Sequence, residues 1–449
     1  MQAKFTHGSI FRHINVMTLS GTVGLVALFL VDLADMYFLS LLGQVEINAA
    51  IGYAGSILFF TLSLGIGLSI GCSALVAQVV GKGDKDSAKR QITHILLAIV
   101  VTTIPTIAAL LLCMDQILDW LGASGTAKDL AIAYMAIILP SMPVMAVAMA
   151  CGGVLRALGE AKNAMNLTLI AAGVNAVLDP IFIFALDWEI RGAAVATVCA
   201  RFAMAGFGLW LILKRHQLLG KIQMPKLAGD IKRYFAIAFP AVLTNLSTPI
   251  GLAYVTYVMA SFGDEAVAGQ AIVGRLQPVA FAGLFALSGA IGPIAAQNLG
   301  AHQFGRIFET LYKSLMFVLI YCAVACGLLL LATPWLISAF KVSGLTADMV
   351  RWFCYGFSLI FLFNGTTFVT NALFNNLRAA IYATQFNFGK ATVGTIPFAY
   401  FGGVWGGPFG VFCGTFIGAG LIAALGILVC KRHIHKLQRD GDTVITESP

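Results

Sequence analysis

Charge is scarce in this sequence. Asp, Glu, Lys and Arg make up 11% of its 449 residues, against about 25% in ordinary globular domains. With 59% hydrophobic residues and a mean hydropathy of +0.89, the chain has too little polar surface for a water-soluble fold. Nor does it carry a basic face: the net charge of +8 is spread between hydrophobic runs, so nucleic acid is not an expected partner. Nine cysteines fall within apolar stretches, including Cys72, Cys151, Cys199, Cys322 and Cys413, with no CxxC pair. That pattern suggests small buried hydrophobes, not disulfides or metal ligands. The N-terminus lacks a short apolar core followed by a small-residue cleavage site, so the first apolar run is expected to be a retained span.

What is present is a series of apolar runs of bilayer length. Windows of roughly 20 residues place twelve spans near 14–42, 48–79, 92–114, 128–150, 164–186, 193–213, 234–261, 266–298, 311–333, 350–373, 381–403 and 407–430. The fold class expected is therefore an all-α polytopic membrane protein. Basic residues favour one set of loops: Lys4 and Arg12, Lys82 to Arg90, Arg156 and Lys162, Lys214 to Arg233, Arg306 and Lys313, Arg378, and Lys431 to Arg439. By the positive-inside rule both termini are expected in the cytoplasm of a cell-membrane protein. The longest hydrophilic stretch, 214–233, reads as a linker between an N-lobe (1–213) and a C-lobe (234–430), followed by a tail (431–449).

The lobes repeat. Gly67 to Arg90 aligns with Ala286 to Glu309 at a constant offset, matching Leu68, Ser69, Ala77, Gln78 and Gly81 to Leu287, Ser288, Ala296, Gln297 and Gly300. Further on, Gly192, Cys199, Phe202 and Gly206 match Gly406, Cys413, Phe416 and Gly420. Two matches in the same order on corresponding spans indicate duplication. Each copy has six spans, so the expected axis relating them runs along the membrane normal, with a substrate cavity between lobes.

The repeat is broken by charge. Asp32 and Asp35 lie inside the first run, and Asn175 and Asp179 inside the fifth; the C-half spans offer Asn245, Asn364, Asn371, Gln385 and Asn387, but no carboxylate near mid-membrane. A carboxylate inside a bilayer costs several kcal/mol unless it faces a polar interior. The alternative is that these acids mark helix ends in the headgroup region. Asn175 and Asp179 are spaced i, i+4 on one helix face, Pro180 frees a nearby carbonyl, and Thr197 lies in the next span among small residues. Two carboxylates close together in low dielectric cannot both stay ionised cheaply, so one is expected to hold a proton. Asp32 is left as a second proton group, a partner to a basic side chain or, with Tyr37, a lining residue of the substrate cavity. Arg201, Arg275 and Lys390 lie in or near apolar runs and are expected to snorkel to an interface.

Asp35 followed by Leu42-Gly43 and Ala49-Ala50-Ile51-Gly52, Ala77-Gln78 to Gly81 with its echo Ala296-Gln297 to Gly300, Arg156 to Gly159, and Asn175 to Pro180 together resemble the multidrug and toxic compound extrusion (MATE) family, in its DinF-like branch. The resemblance covers nearly the whole chain. It implies two six-helix lobes around a V-shaped cleft and a cation-coupled antiporter. It also implies a coupling site at Asp35, Asn175, Asp179 and Thr197, taking H+ or alternatively Na+. The expected substrate is an amphipathic, cationic, drug-like molecule; no cofactor is expected, and the protein is expected to act as a monomer. Two departures stand out: Gly21 and Gly24 occupy the region where that branch often has a proline, and the C-lobe carboxylates of the NorM-like branch are missing. An intramembrane aspartyl protease would need its membrane acids in Tyr-Asp and Gly-x-Gly-Asp signatures, but here they read Ala34-Asp35-Met36 and Leu178-Asp179-Pro180, so no enzyme is expected. A lipid-linked oligosaccharide flippase of the same superfamily is the closer rival and would need a cationic cavity.

Overall fold

The computed structural model describes residues 3–40, 45–340 and 342–446, with side chains at 32, 33, 36, 37, 40, 45, 48 and 441–446 left aside. The described chain is almost entirely helical, with no strand among the described residues. Eleven helical segments are long and apolar enough to cross a membrane. The last, Ala380–Asp440, turns back at Gly406–Gly407, where Gly407 takes φ 58°, a conformation open mainly to glycine. It therefore supplies two spans, and the expected twelve are present.

The chain forms two compact units, Val23–Val242 and Ala3–Thr22 with the residues from Leu243 onward. The division thus falls at Val242 and, unforeseen from the sequence, inside the first helix.

In the first unit the elements are α1 from Val23 (whole helix Ile10–Ser40), α2 (Val45–Gly81), α3 (Lys85–Leu112), α4 (Met114–Trp120), α5 (Gly125–Ile138), α6 (Met142–Ala157), α7 (Ala161–Pro180), α8 (Glu189–Trp210) and most of α9 (Met224–Leu246). Small residues set the helix distances. A Cβ on Gly153 would stand 2.9 Å from the Ser69 carbonyl, which is why α2 and α6 pack closely. The segment ahead of α9 is strapped to α3. Thr93 Oγ1 accepts from the Gly220 N–H at 2.9 Å, His94 Nε2 accepts from the Gln223 N–H at 3.1 Å, and Asp230 takes His94 Nδ1 at 2.8 Å and Arg90 Nε at 3.0 Å. Because Nε2 accepts, the Nδ1 of His94 carries the proton, and the buried ring is neutral.

In the second unit the N-terminal segment is tied to α12 (Ala282–Gly300) and α13 (Phe304–Phe340). The Phe5 N–H donates to Gln297 Oε1 at 2.9 Å, and the Phe5 carbonyl accepts from Asn298 at 3.2 Å and Arg306 at 2.8 Å. The unit is completed by α10 (Thr248–Ala260), α11 (Asp264–Ala280), α14 (Gly344–Tyr355), α15 (Ile360–Asn376), α16 (Ala380–Ala391) and α17 (Ile396–Thr446). Several spans expected to be continuous are broken: α11 and α12 part at Phe281, α14 and α15 at Gly356, α16 and α17 over 392–395. Irregular backbone at membrane depth is tolerated only inside protein or along a cavity. The two legs of α17 pack backbone to backbone: Gly410 and Gly414, four apart, face Gly402 and Phe398, and Gly418 faces Gly394 in the break just ahead of α17.

Candidate coupling site

The fifth span supplies the site's base. On α7, Asn175 and Asp179 share a face and are buried, with 5% and 0% of their surface exposed. Pro180 removes the N–H that would bond the Ala176 carbonyl, and the chain opens into a wide π turn, Ile181–Ala185, closed by Leu186 N–H to Ile181 carbonyl at 2.9 Å. Gly192 fits against this turn: a Cβ there would sit 2.6 Å from the Phe182 carbonyl. Wide turns of this kind recur at functional sites.

The first helix supplies the second acid. Gly24 lies directly against Thr168 of α7, so α1 and α7 run close together below the acids. Three turns on, Asp35 meets Asn175: the amide Nδ2 donates to both Asp35 oxygens at 3.0 Å and to Asp179 Oδ2 at 2.7 Å. One turn further, Phe38 and Phe184 pack edge to face at 6.1 Å, an apolar cover over the same pair of helices.

One neutral amide therefore carries two carboxylates. Among the described residues neither acid has an ion-pair partner, and no three His, Cys, Asp or Glu gather as a metal group. Two negative charges separated by little more than one nitrogen repel by about 3 kcal/mol at an effective dielectric of ~20. Asn175 Oδ1 and Asp179 Oδ1 are buried acceptors with no partner, each costing about 1–3 kcal/mol while unsatisfied. The arrangement is short of positive charge and of hydrogen-bond donors.

The other expected site residues fall elsewhere. Thr197 is half-buried on α8, which packs against α7, and makes no hydrogen bond to the cluster. Asp32 and Tyr37 lie outside the described side chains. Arg201 does not snorkel: its Nη1 donates to the Ile138 carbonyl at 3.1 Å and Ser141 Oγ at 2.8 Å. It satisfies the break between α5 and α6 at Pro140, a role that no hydropathy pattern signals.

Comparison with known proteins decides the family. The MatE family model matches twice, over residues 22–181 and 240–401, together more than half of the chain and in step with its internal repeat. The chain belongs to the MatE family. This MatE protein is accordingly a multi-pass membrane transporter. It is 29% identical over 312 residues to an FAD transporter of Shewanella oneidensis, covering 68% of this chain and 69% of that protein. It is 23% identical over 326 residues to the multidrug export protein MepA of Staphylococcus aureus, covering 72% of each. Its fold is that of a variant of the Vibrio cholerae MATE transporter VcmN, at TM-score 0.90 and 22% identity, over 96% of this chain and 98% of that one.

Proposed function

We propose that this MatE protein is a cation-coupled exporter of small amphipathic molecules, in which Asp35, Asn175 and Asp179 take up the coupling ion, a proton. The observation that carries this reading is the single Asn175 amide serving two carboxylates, Asp179 fully buried and Asp35 half-buried, that have no counter-charge among the described residues. A proton on one acid removes the repulsion and supplies the missing donor. Asn175 turns its N–H2 group, not its oxygen, toward the acids, which suits a carboxylate pair holding a proton better than one wrapped around Na+. Protonation changes the bonds between α1 and α7, and coupling needs only that substrate prefer one of the two bonded states. The resemblance of the site to the DinF-like branch supports the same reading.

The test is dye efflux by the reconstituted full-length protein under an imposed pH gradient or an imposed Na+ gradient. Efflux that follows the pH gradient and is lost in Asp35→Asn supports proton coupling at Asp35. Efflux by Asp35→Asn at the normal rate overturns the site, and efflux that follows Na+ and ignores pH overturns the ion.

A second reading concerns cargo alone. The FAD transporter has the higher identity, 29% against 23% for MepA, and favours an anionic flavin nucleotide over a cationic drug. Competition of FAD with a cationic dye in the same vesicles separates the two.

A further inference from the structure

Lys390 stands alone. It lies on α16 ten residues beyond Ala380, so roughly 15 Å along the helix and about half-way through a bilayer core of ~30 Å. Its ammonium makes no hydrogen bond or ion pair among the described residues. The helices that meet α16, namely α10, α15, α17 and the Thr244 end of α9, carry no Asp or Glu before Asp440 except Asp230, fourteen residues from Thr244 along α9 and bonded to His94 and Arg90. Lys390 shares its helix face with Ala383, which is 0% exposed, and with Asn387, one turn earlier. It therefore turns toward the interior of its unit, where an unpaired ammonium is costly.

What it faces is polar but uncharged. Asn387 Oδ1 accepts from Asn371 Nδ2 at 2.9 Å, and its own Nδ2 donates to the Thr244 carbonyl at 2.9 Å. On α15, Asn364, Asn371 and Asn375 are spaced 7 and 4 apart, so they share a face, and each has a buried Oδ1 with no partner. Because α15 and α16 form a tight hairpin, the pairing of Asn371 with Asn387 sets Lys390 at a level between Asn371 and Asn364. Just beyond Lys390 the span is interrupted at 392–395. Breaks of this kind in transporters lie at binding sites.

We propose that Lys390 and the Asn364–Asn371 face of α15 form an anion-binding site for a small organic phosphate that carries hydroxyl or N–H donors. The ammonium takes the phosphate, and the orphan amide oxygens take the donors. A simple cation has nothing to gain there, because Lys390 repels it. The site lies wholly within the second unit and shares no residue with the Asp35 cluster. It rests on the export reading only in taking its ligand to be a solute, and binding measured without a gradient keeps the two independent.

The experiment uses the full chain in phosphatidylcholine nanodiscs, with riboflavin and riboflavin 5′-phosphate as a pair differing by one phosphate. Flavin fluorescence quenching reads affinity. Riboflavin 5′-phosphate is expected to bind roughly tenfold or more tightly than riboflavin, the worth of one charge-assisted contact. Lys390→Gln is expected to erase that difference while leaving riboflavin affinity unchanged, and Lys390→Arg to keep it. Equal affinities for the two flavins, absence of binding by both, or equal weakening of both in Lys390→Gln overturns the proposal. Loss of the phosphate preference when phosphatidylglycerol is added also overturns it, by assigning the site to a lipid headgroup.

Discussion

Asn175 holds Asp35 symmetrically, with its Nδ2 at 3.0 Å from both carboxylate oxygens, across the gap between the first and fifth spans. The same nitrogen serves Asp179 at 2.7 Å, so its two hydrogens are divided among three acceptors. Any change in the charge of either acid must therefore be felt by the other through this amide.

How closely α1 approaches α7 depends on Gly24, which touches Thr168. Gly24→Val is expected to push α1 away and lengthen the Asn175–Asp35 contact beyond hydrogen-bond range. Transport should fall at least tenfold while membrane insertion is normal. Efflux assays on matched amounts of inserted protein check this, and wild-type efflux by the valine variant would remove Gly24 from the site's support.

The hairpin of α17 rests on Gly410 and Gly414, each pressed against backbone of the other leg. The obstacle here is main chain, which cannot rotate aside. Gly414→Val is expected to destroy the hairpin, so that little folded protein survives detergent extraction. Monodisperse elution of that variant at wild-type yield would contradict the packing.

Asp230, in the second turn of α9, joins that helix to α3 through His94 and Arg90, with 6% of its side chain exposed. Asp230→Ala leaves a buried histidine and a half-buried arginine without their acceptor. Removing one partner of such a buried pair costs about 3–5 kcal/mol. The expected result is a lower melting temperature and faster tryptic cleavage at the exposed Lys221 and Lys226. Unchanged cleavage would mean that the bonds of Gly220 to Thr93 and of Gln223 to His94 hold the strap without Asp230.

At the start of α3, Asp84 caps the helix by accepting from Ser87. The hydroxyl of Ser87, then its N–H, hold the Asp84 carboxyl below the usual carboxylate range. A lowered folded value means that the charged cap stabilises the helix above the unfolded value of about 3.9. The benefit is lost as pH falls through the lower folded value. Asp84→Ala is expected to lose about 1 kcal/mol at pH 7, and the gap to wild type should close only in strong acid. Thermal unfolding at both pH values measures it.

Much of this was legible in the sequence because bilayers penalise polarity so heavily. Twelve spans follow from apolar length, and Asn175 and Asp179 were legible as one helical face. Their meeting with Asp35 follows because isolated acids at that depth have few affordable partners. Thr197 entered through family resemblance, and the structure leaves its hydroxyl half-buried without a bond to the acids. Hydropathy averaged over a window cannot see the breaks at Phe281, Gly356 and 392–395, since each is short and flanked by apolar residues. Nor can it see that Phe5 is held by Gln297, Asn298 and Arg306, because specific backbone bonds across nearly 300 residues leave no periodic trace.

The proton reading makes its sharpest demand on Asn175. If the amide's task is to donate to two acids, Asn175→Asp replaces a donor by a third carboxylate and should be far worse than simple loss. Three acids in one pocket would need at least two protons, so the cluster would stay loaded under the gradient that normally cycles it. Asn175→Asp is therefore expected to be inactive, and Asn175→Ala to be slowed by roughly tenfold to hundredfold, the worth of one or two charge-assisted hydrogen bonds. Asn175→Gln keeps the donor but shifts it by a methylene, so it should fall between wild type and alanine. Proton-driven efflux in vesicles, with the pH gradient set before substrate is added, ranks the variants. An order in which aspartate outperforms alanine would show that the position serves a cation's oxygen shell and not a shared proton. In that case added Na+, and not the pH gradient, should restore transport in Asn175→Asp.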